Sequence, residues 1–161
     1  MKTLILVRHG KSSWEYNVSD RDRPLLPRGI NDGLLVSEKW ILENAKVDFI
    51  YSSPANRALH TATIFLRNMN FSLEQFQLSN MLYDFSGDSV LQFIKELDND
   101  LETVMIFGHN HAFTHIANSL GNSYIDNVPT TGLVQLQFGI TRWDDTDKGT
   151  TVKTIFPKQL K

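Results

Sequence analysis

Two imidazoles and two guanidinium groups stand where this chain could do chemistry. The apolar run "LILV" (residues 4–7) passes directly into Arg8, His9 and Gly10, and a second run, "TVMIFG", ends on His109. Arg57 follows a third apolar stretch, in "SSPANRALHTA". Arginine presents a planar fork of donors matched to phosphate. Nearby cations favour a neutral imidazole, because a second positive charge beside them is costly. A neutral imidazole has a free lone pair that can attack phosphorus. The arginines and the other histidine would then stabilise charge on the transferring oxygens. Gathered at one point, these side chains would hold a dianion, with phosphate the natural candidate, and could transfer a phosphoryl group through a phosphohistidine without metal.

The elements legible in the sequence are of the kind that could gather them. Residues 3–7 are too few for a helix and rich in branched apolar residues, which predicts a strand buried on both faces, as in a parallel sheet covered by helices. A polar loop follows, "KSSWEYNVSDRDRPLLPRG", in which Pro24 and Pro27 oppose a long helix. Ile30, Leu34, Ile41 and Ala45 recur at helical spacing, so a helix is expected from about 30 to 45. A strand over 47–53 leads to Ser53 and Pro54, the pattern of an N-cap with proline at the first helical position. The helix from 54 to about 67 aligns Ala58, Ala62, Phe65 and Leu66. A weak strand near 76–78 precedes a helix through Val90, Leu91, Ile94 and Leu97, which Ser86 or Asp88 could cap. A strand over 103–109, a short helix over 112–120, and strands over 133–140 and 150–156 complete the order. Four strand–helix repeats closed by a hairpin predict a three-layer α/β/α sandwich, with a mainly parallel central sheet and a C-terminal antiparallel hairpin. Ligands of such sheets bind outside the carboxyl ends of the strands, where Arg8, His9 and His109 fall and where the helix carrying Arg57 begins. A helix N-terminus there favours an anion further.

The totals narrow the class. A chain of 161 residues, 41% hydrophobic and 21% charged, fits a single domain spanning 1–161 with a real core. It has no cysteine, which excludes a disulfide scaffold, a thiolate metal site and a cysteine nucleophile. A net charge of −2 argues against a general nucleic-acid binder. No apolar run approaches the roughly 20 residues of a membrane helix. The opening "MKTLILVRHG" is too short in its apolar part for a signal peptide. A cytoplasmic protein without a membrane partner is the expectation. The oligomeric state is left open.

"VRHG", "SSPANRALHTA" and "GHN", each in order at its expected strand end, resemble the histidine phosphatase superfamily, whose first branch includes the phosphoglycerate mutases. The loop "SSW…RDRPLLPRG" is more like the small SixA-type group, named for protein phosphohistidine phosphatase activity. The resemblance runs from Leu4 to "VPTTGLVQLQF". It implies that His9 is the nucleophile, that Arg8 and Arg57 clamp the phosphate, and that His109 stabilises the phosphoryl oxygens. Arg23, in "RPL", would reach the phosphate or the partner surface. Asp84, in "LYDFSG", falls where the family carries its general acid, though larger members commonly have glutamate there, one methylene longer. A weaker acid suits a phosphoramidate, since leaving imidazole has a conjugate-acid pKa of roughly 6.5 and needs less help than an alkoxide. The resemblance implies no cofactor and, as substrate, a phosphohistidine-bearing protein or else a small phosphate ester.

Other readings use the same residues. "GHNHAFTH" holds His109, His111 and His115, and His111 with His115 has i,i+4 metal-ligand spacing, which would suit a metal-dependent hydrolase. No nearby carboxylate completes that set, so no metal site is expected. His111 is instead expected at the pocket mouth and His115 on its helix surface or in packing. A non-catalytic phosphate-binding module would most simply have lost one of Arg8, His9, Arg57 or His109. Trp14 and Tyr16 are expected to pack the long loop.

Overall fold

A computed structural model describes residues 1–43 and 46–161 of the chain. Its opening strand, β1 (Lys2–Arg8), behaves as its composition demands: Leu4 and Leu6 join one core, Ile5 and Val7 the other, and all four are fully buried. The order continues as α1 (Pro27–Glu43), β2 (Phe49–Ser52), α2 (Asn56–Asn68), β3 (Phe76–Leu78), α3 (Asp88–Lys95), β4 (Thr103–Gly108), α4 (Ala112–Leu120), β5 (Leu133–Phe138) and β6 (Thr150–Ile155). One six-stranded sheet runs in the order β3-β2-β4-β1-β5-β6. Strands β3, β2, β4 and β1 are mutually parallel, and β5 pairs antiparallel with both β1 and β6. The fold is the α/β sandwich expected.

The two faces are covered by different helices. Val36 and Trp40 of α1 and Ala62, Phe65 and Leu66 of α2 pack with Ile5, Val7, Met105 and Phe107. Val90, Phe93 and Ile94 of α3 and Phe113, Ile116 and Ala117 of α4 pack with Leu4, Leu6, Val104 and Ile106. The chain therefore leaves β1 and β2 toward one face and leaves β4, between them, toward the other. That reversal opens a crevice at the carboxyl ends of these three strands.

Helix α1 departs from its expected face. It starts at Pro27, whose missing N–H costs nothing in a first turn. Its buried side is Gly29, Asp32, Gly33, Val36, Ser37 and Trp40, whereas Leu34 is 39% exposed and Ile30 and Ile41 are only partly buried. Small residues set this face because α2 lies so close: a Cβ on Gly33 would meet Ile64 at 3.1 Å. Ala45, expected to end the helix, lies outside the described residues. Gly29 is needed for a second close approach, since a Cβ there would sit 2.4 Å from the Lys11 carbonyl oxygen. This contact seats the loop after β1 on the first turn of α1.

Helix α2 begins two residues later than expected, with Ala55 at its N-cap and no side-chain cap. Neither Ser86 nor Asp88 provides the N-cap of α3; that position is Gly87, with φ of 106°.

Candidate active site

Register places the chemistry. Arg8 pairs with Gly108 across β1 and β4, and the His9 N–H donates to the Gly108 carbonyl at 3.0 Å. The next residue on each strand is a histidine, so the His9 and His109 rings lie 5.2 Å apart between centroids. On the other side of β4, Ser53 N–H donates to Phe107 at 2.9 Å, which brings the start of α2 and Arg57 to the same edge. Thr61, fully buried on α2, takes the Gly10 N–H at 2.9 Å and donates to the Arg57 carbonyl at 2.8 Å. Arg8, His9, Arg57 and His109 are thus brought together.

Hydrogen bonds fix both imidazoles. A carbonyl can only accept, so the 2.7 Å contact of His9 Nδ1 with the Gly10 oxygen puts the proton on Nδ1. Nε2 keeps its lone pair and receives Arg57 Nε–H at 3.3 Å. In His109, Nδ1 faces Arg57 Nη2 at 3.5 Å, so Nε2 carries the proton toward Ser53 Oγ at 2.8 Å. The same hydroxyl also accepts from the N–H of Ala55, the N-cap residue of α2, at 3.2 Å. Burial pushes the His9 pKa down to about 3; the Gly10 carbonyl opposes the shift, while His109, Arg57 and Arg8 add to it. His109 is likewise pushed down to about 3, by burial and then Arg57, with Asp20 opposing. Both rings are neutral at pH 7.

The site opens into a cavity of about 280 Å³. His9 and Arg57 form its floor at 8% and 2% exposure, whereas Trp14 and Phe85 line it at 78% and 47%. Arg8, Lys11 and Arg23 line it too, against a single carboxylate among the lining residues, Asp20. Arg8 Nη1 donates to the Val128 carbonyl at 2.9 Å, while its buried Nε has no hydrogen-bond partner among the described residues. A surplus of cations beside an unused donor suits a dianion.

Asp20 was not singled out by sequence reasoning, yet it is central. Its carboxylate accepts from Arg57 Nη2 at 3.0 Å, from Arg23 Nη1 at 3.2 Å and from the Tyr83 hydroxyl at 2.5 Å. Its backbone carbonyl accepts from Arg57 Nη1 at 2.6 Å. Burial opposes ionisation, but Tyr83, Arg57 and Arg23 together hold its pKa down at about 2. The sequence offered only a polar loop here, and the one available signal was its spacing of three residues from Arg23.

The remaining expected residues fall in various places. Arg23 is 7% exposed and lines the cavity, bonded to Ser12 Oγ at 2.6 Å and the Ser13 carbonyl at 3.1 Å. Asp84 does not line it. Its carboxylate accepts from the N–H groups of Ser86, Gly87 and Val90 at 3.1, 3.0 and 3.0 Å and from the Ser86 hydroxyl at 3.1 Å. Burial works against ionisation there, yet these hydrogen bonds, Val90 foremost, hold its pKa below the usual carboxylate value. Asp84 is therefore placed as an ionised cap for α3, which ill suits a proton donor. His111 is exposed at the N-cap of α4 and is not among the residues lining the cavity. His115 is exposed, with Ser119 Oγ 3.5 Å from its Nε2. Tyr16 is 59% exposed, whereas Trp14 packs one ring face on the loop, 3.3 Å from the Arg23 guanidinium carbon, and remains 78% exposed.

The family model of the histidine phosphatase superfamily (branch 1) matches residues 4–82. An uncharacterized protein of Mycobacterium tuberculosis (strain H37Rv) is 26% identical over 154 residues, covering 89% of this chain and 93% of the relative. Among solved structures, the protein histidine phosphatase SixA complexed with tungstate matches with a TM-score of 0.83 at 19% identity, over 99% of both chains. A mycobacterial glucosyl-3-phosphoglycerate phosphatase complexed with VO3 matches with a TM-score of 0.68 at 14% identity, over 95% of this chain and 98% of that one. These structural likenesses establish a shared fold.

Proposed function

We propose that the chain is a member of the histidine phosphatase superfamily, whose branch 1 family model matches residues 4–82, and that it is a metal-independent phosphatase that works through a covalent phosphohistidine at His9 and is best suited to phosphohistidine on a protein. One contact carries the reading: the 2.7 Å bond from Nδ1 to the Gly10 carbonyl leaves Nε2 as the lone pair beside Arg57.

In the first step the Nε2 pair forms a bond to phosphorus, and the leaving ring, protonated by solvent on its other nitrogen, departs as neutral imidazole with the pair of the broken P–N bond. Water then attacks phosphorus and the bond to Nε2 breaks. One water proton stays on the phosphate and the other returns to solvent, replacing the one the leaving ring took up. Arg8 and Arg57 would clamp the equatorial oxygens, with Arg23 behind them, and supply the charge neutralisation the transfer needs. His109 would join them by gaining a proton as the dianion raises its pKa.

The phosphoramidate preference rests on Asp84. With its carboxylate spent on capping α3, no strong acid stands ready for an alkoxide, and imidazole has less need of one. The finding that such folds also serve small phosphate esters makes those esters the competing substrates.

Phosphate release from a phosphohistidine-containing transfer protein, by chelator-treated wild type beside His9→Ala, tests the proposal. Expected are full activity in the chelated wild type, an acid-labile phosphoenzyme, and activity at background in the variant. Near wild-type turnover by His9→Ala would end it. Loss on chelation would point to metal instead, and faster turnover of a small phosphate ester would shift the substrate class.

A further inference from the structure

Trp14 is an unusual tryptophan for this molecule. Trp40 and Trp143 are 3% and 0% exposed, in the two cores, whereas Trp14 is 78% exposed. It is nevertheless held. The Arg23 guanidinium carbon lies 3.3 Å from its ring centroid. Arg23 is itself fixed by Ser12, Ser13 and Asp20 and is only 7% exposed. A large flat side chain is thereby presented to solvent at the mouth of the cavity whose floor is His9 and Arg57.

The reaction geometry says what belongs there. Attack and departure at phosphorus are roughly in line, so the leaving group lies on the side of the phosphoryl away from the nucleophile. With His9 at the floor, that side is the mouth, lined by Trp14 and by Phe85. An exposed aromatic face meets a flat ring by offset or edge-on stacking. A ring already ordered on a guanidinium has less freedom to lose when it does so.

We propose that Trp14 is a specificity-determining residue, the platform on which an aromatic leaving group stacks while its phosphoryl group sits on Arg8, His9 and Arg57. The inference rests on the phosphatase reading and narrows it to phosphoryl groups carried on flat rings such as imidazole.

Phosphoimidazole and phosphoramidate share a P–N bond, but only the first has a ring, and neither has a protein surface. With the full chain, Trp14→Leu should raise KM for phosphoimidazole about 3- to 10-fold, with a smaller change in kcat. Phosphoramidate kinetics should be unchanged, and Trp14→Phe should restore the phosphoimidazole KM. Equal changes for both compounds would mean that Trp14 only braces Arg23, and no change for either would remove the platform. A defect confined to a phosphohistidine-containing protein would mean that the indole touches a partner surface, which also overturns the proposal. Binding to His9→Ala, read through indole fluorescence, separates the platform from catalysis. There phosphoimidazole should bind more tightly than phosphoramidate, and equal binding would sink the platform even if the phosphatase reading stood. Conversely, wild type that turns over neither compound nor a phosphohistidine-containing protein, while its ring preference in binding persists, would remove the phosphatase reading alone.

Discussion

At the scale of single residues, this site is a contest for Arg57. Its guanidinium serves His9, His109 and both the carboxylate and the carbonyl of Asp20. A phosphoryl dianion must take some of those N–H groups, and the Asp20 charge repels it as it does so. Substituting Asp20→Asn keeps the shape and removes the charge. Inorganic phosphate should then inhibit more strongly, its Ki falling about 3- to 10-fold, the equivalent of one charged contact at a partly screened position. Competitive inhibition measured on both proteins at one ionic strength checks this. An unchanged or weaker Ki would mean that Asp20 chiefly orients Arg57 and does not compete with the ligand.

At the scale of elements, Asp84 illustrates how a carboxylate's neighbours decide its use. Placed just before α3, it satisfies N–H groups that the helix cannot pair internally, including that of Val90. Replacing it with alanine removes this cap, at a cost of about 1 kcal/mol. For a domain of this size that lowers Tm by roughly 2–4 °C. Turnover of a phosphoramidate by Asp84→Ala should stay near wild type, measured below the new melting range. A large loss of turnover with an unchanged Tm would return Asp84 to the role of general acid. The helix N-terminus could have been read from "DFSGDSV", but the sequence alone did not tell which of its four polar side chains would turn back onto the Val90 N–H.

At the scale of the whole molecule, the two neutral histidines couple the site to acid stability. Both have pKa values pushed down to about 3 from an ordinary 6.5. Above 6.5 neither the folded nor the unfolded chain protonates them, and their contribution to stability is complete. As pH falls below 6.5 the unfolded chain binds protons that the folded one refuses, so stability declines toward pH 3. A dianion in the cavity would raise the folded pKa values and offset that loss. Thermal melts from pH 7 to pH 4 should show Tm falling, and sulfate should raise Tm more at pH 5 than at pH 7. A sulfate effect independent of pH would mean that the anion does not meet these imidazoles. Since His9 stays neutral well below pH 5, kcat/KM should show no acid limb from it between pH 5 and 7.

By itself the sequence determined the periodic part of this protein: the strands, the order of strand and helix, and the residues standing at strand ends. A strand buried on both faces needs an unbroken apolar run, so "LILV" announces itself, and Arg8 and His9 stand at its carboxyl end. Tertiary structure decided the rest. Inserting β4 between β1 and β2 put His109 beside His9 and brought the Ser53 hydroxyl to the His109 imidazole. The close approach of α1 to α2 chose Gly33 over Leu34 for the buried face, because separation between helices, not hydropathy, governed that contact. Asp20, Arg23 and Trp14 lie in a loop with no period to read, and their meaning comes from partners distant along the chain or folded back within it. Hydrogen bonds and ring contacts of that kind are properties of position in space, which a local pattern of residues does not encode.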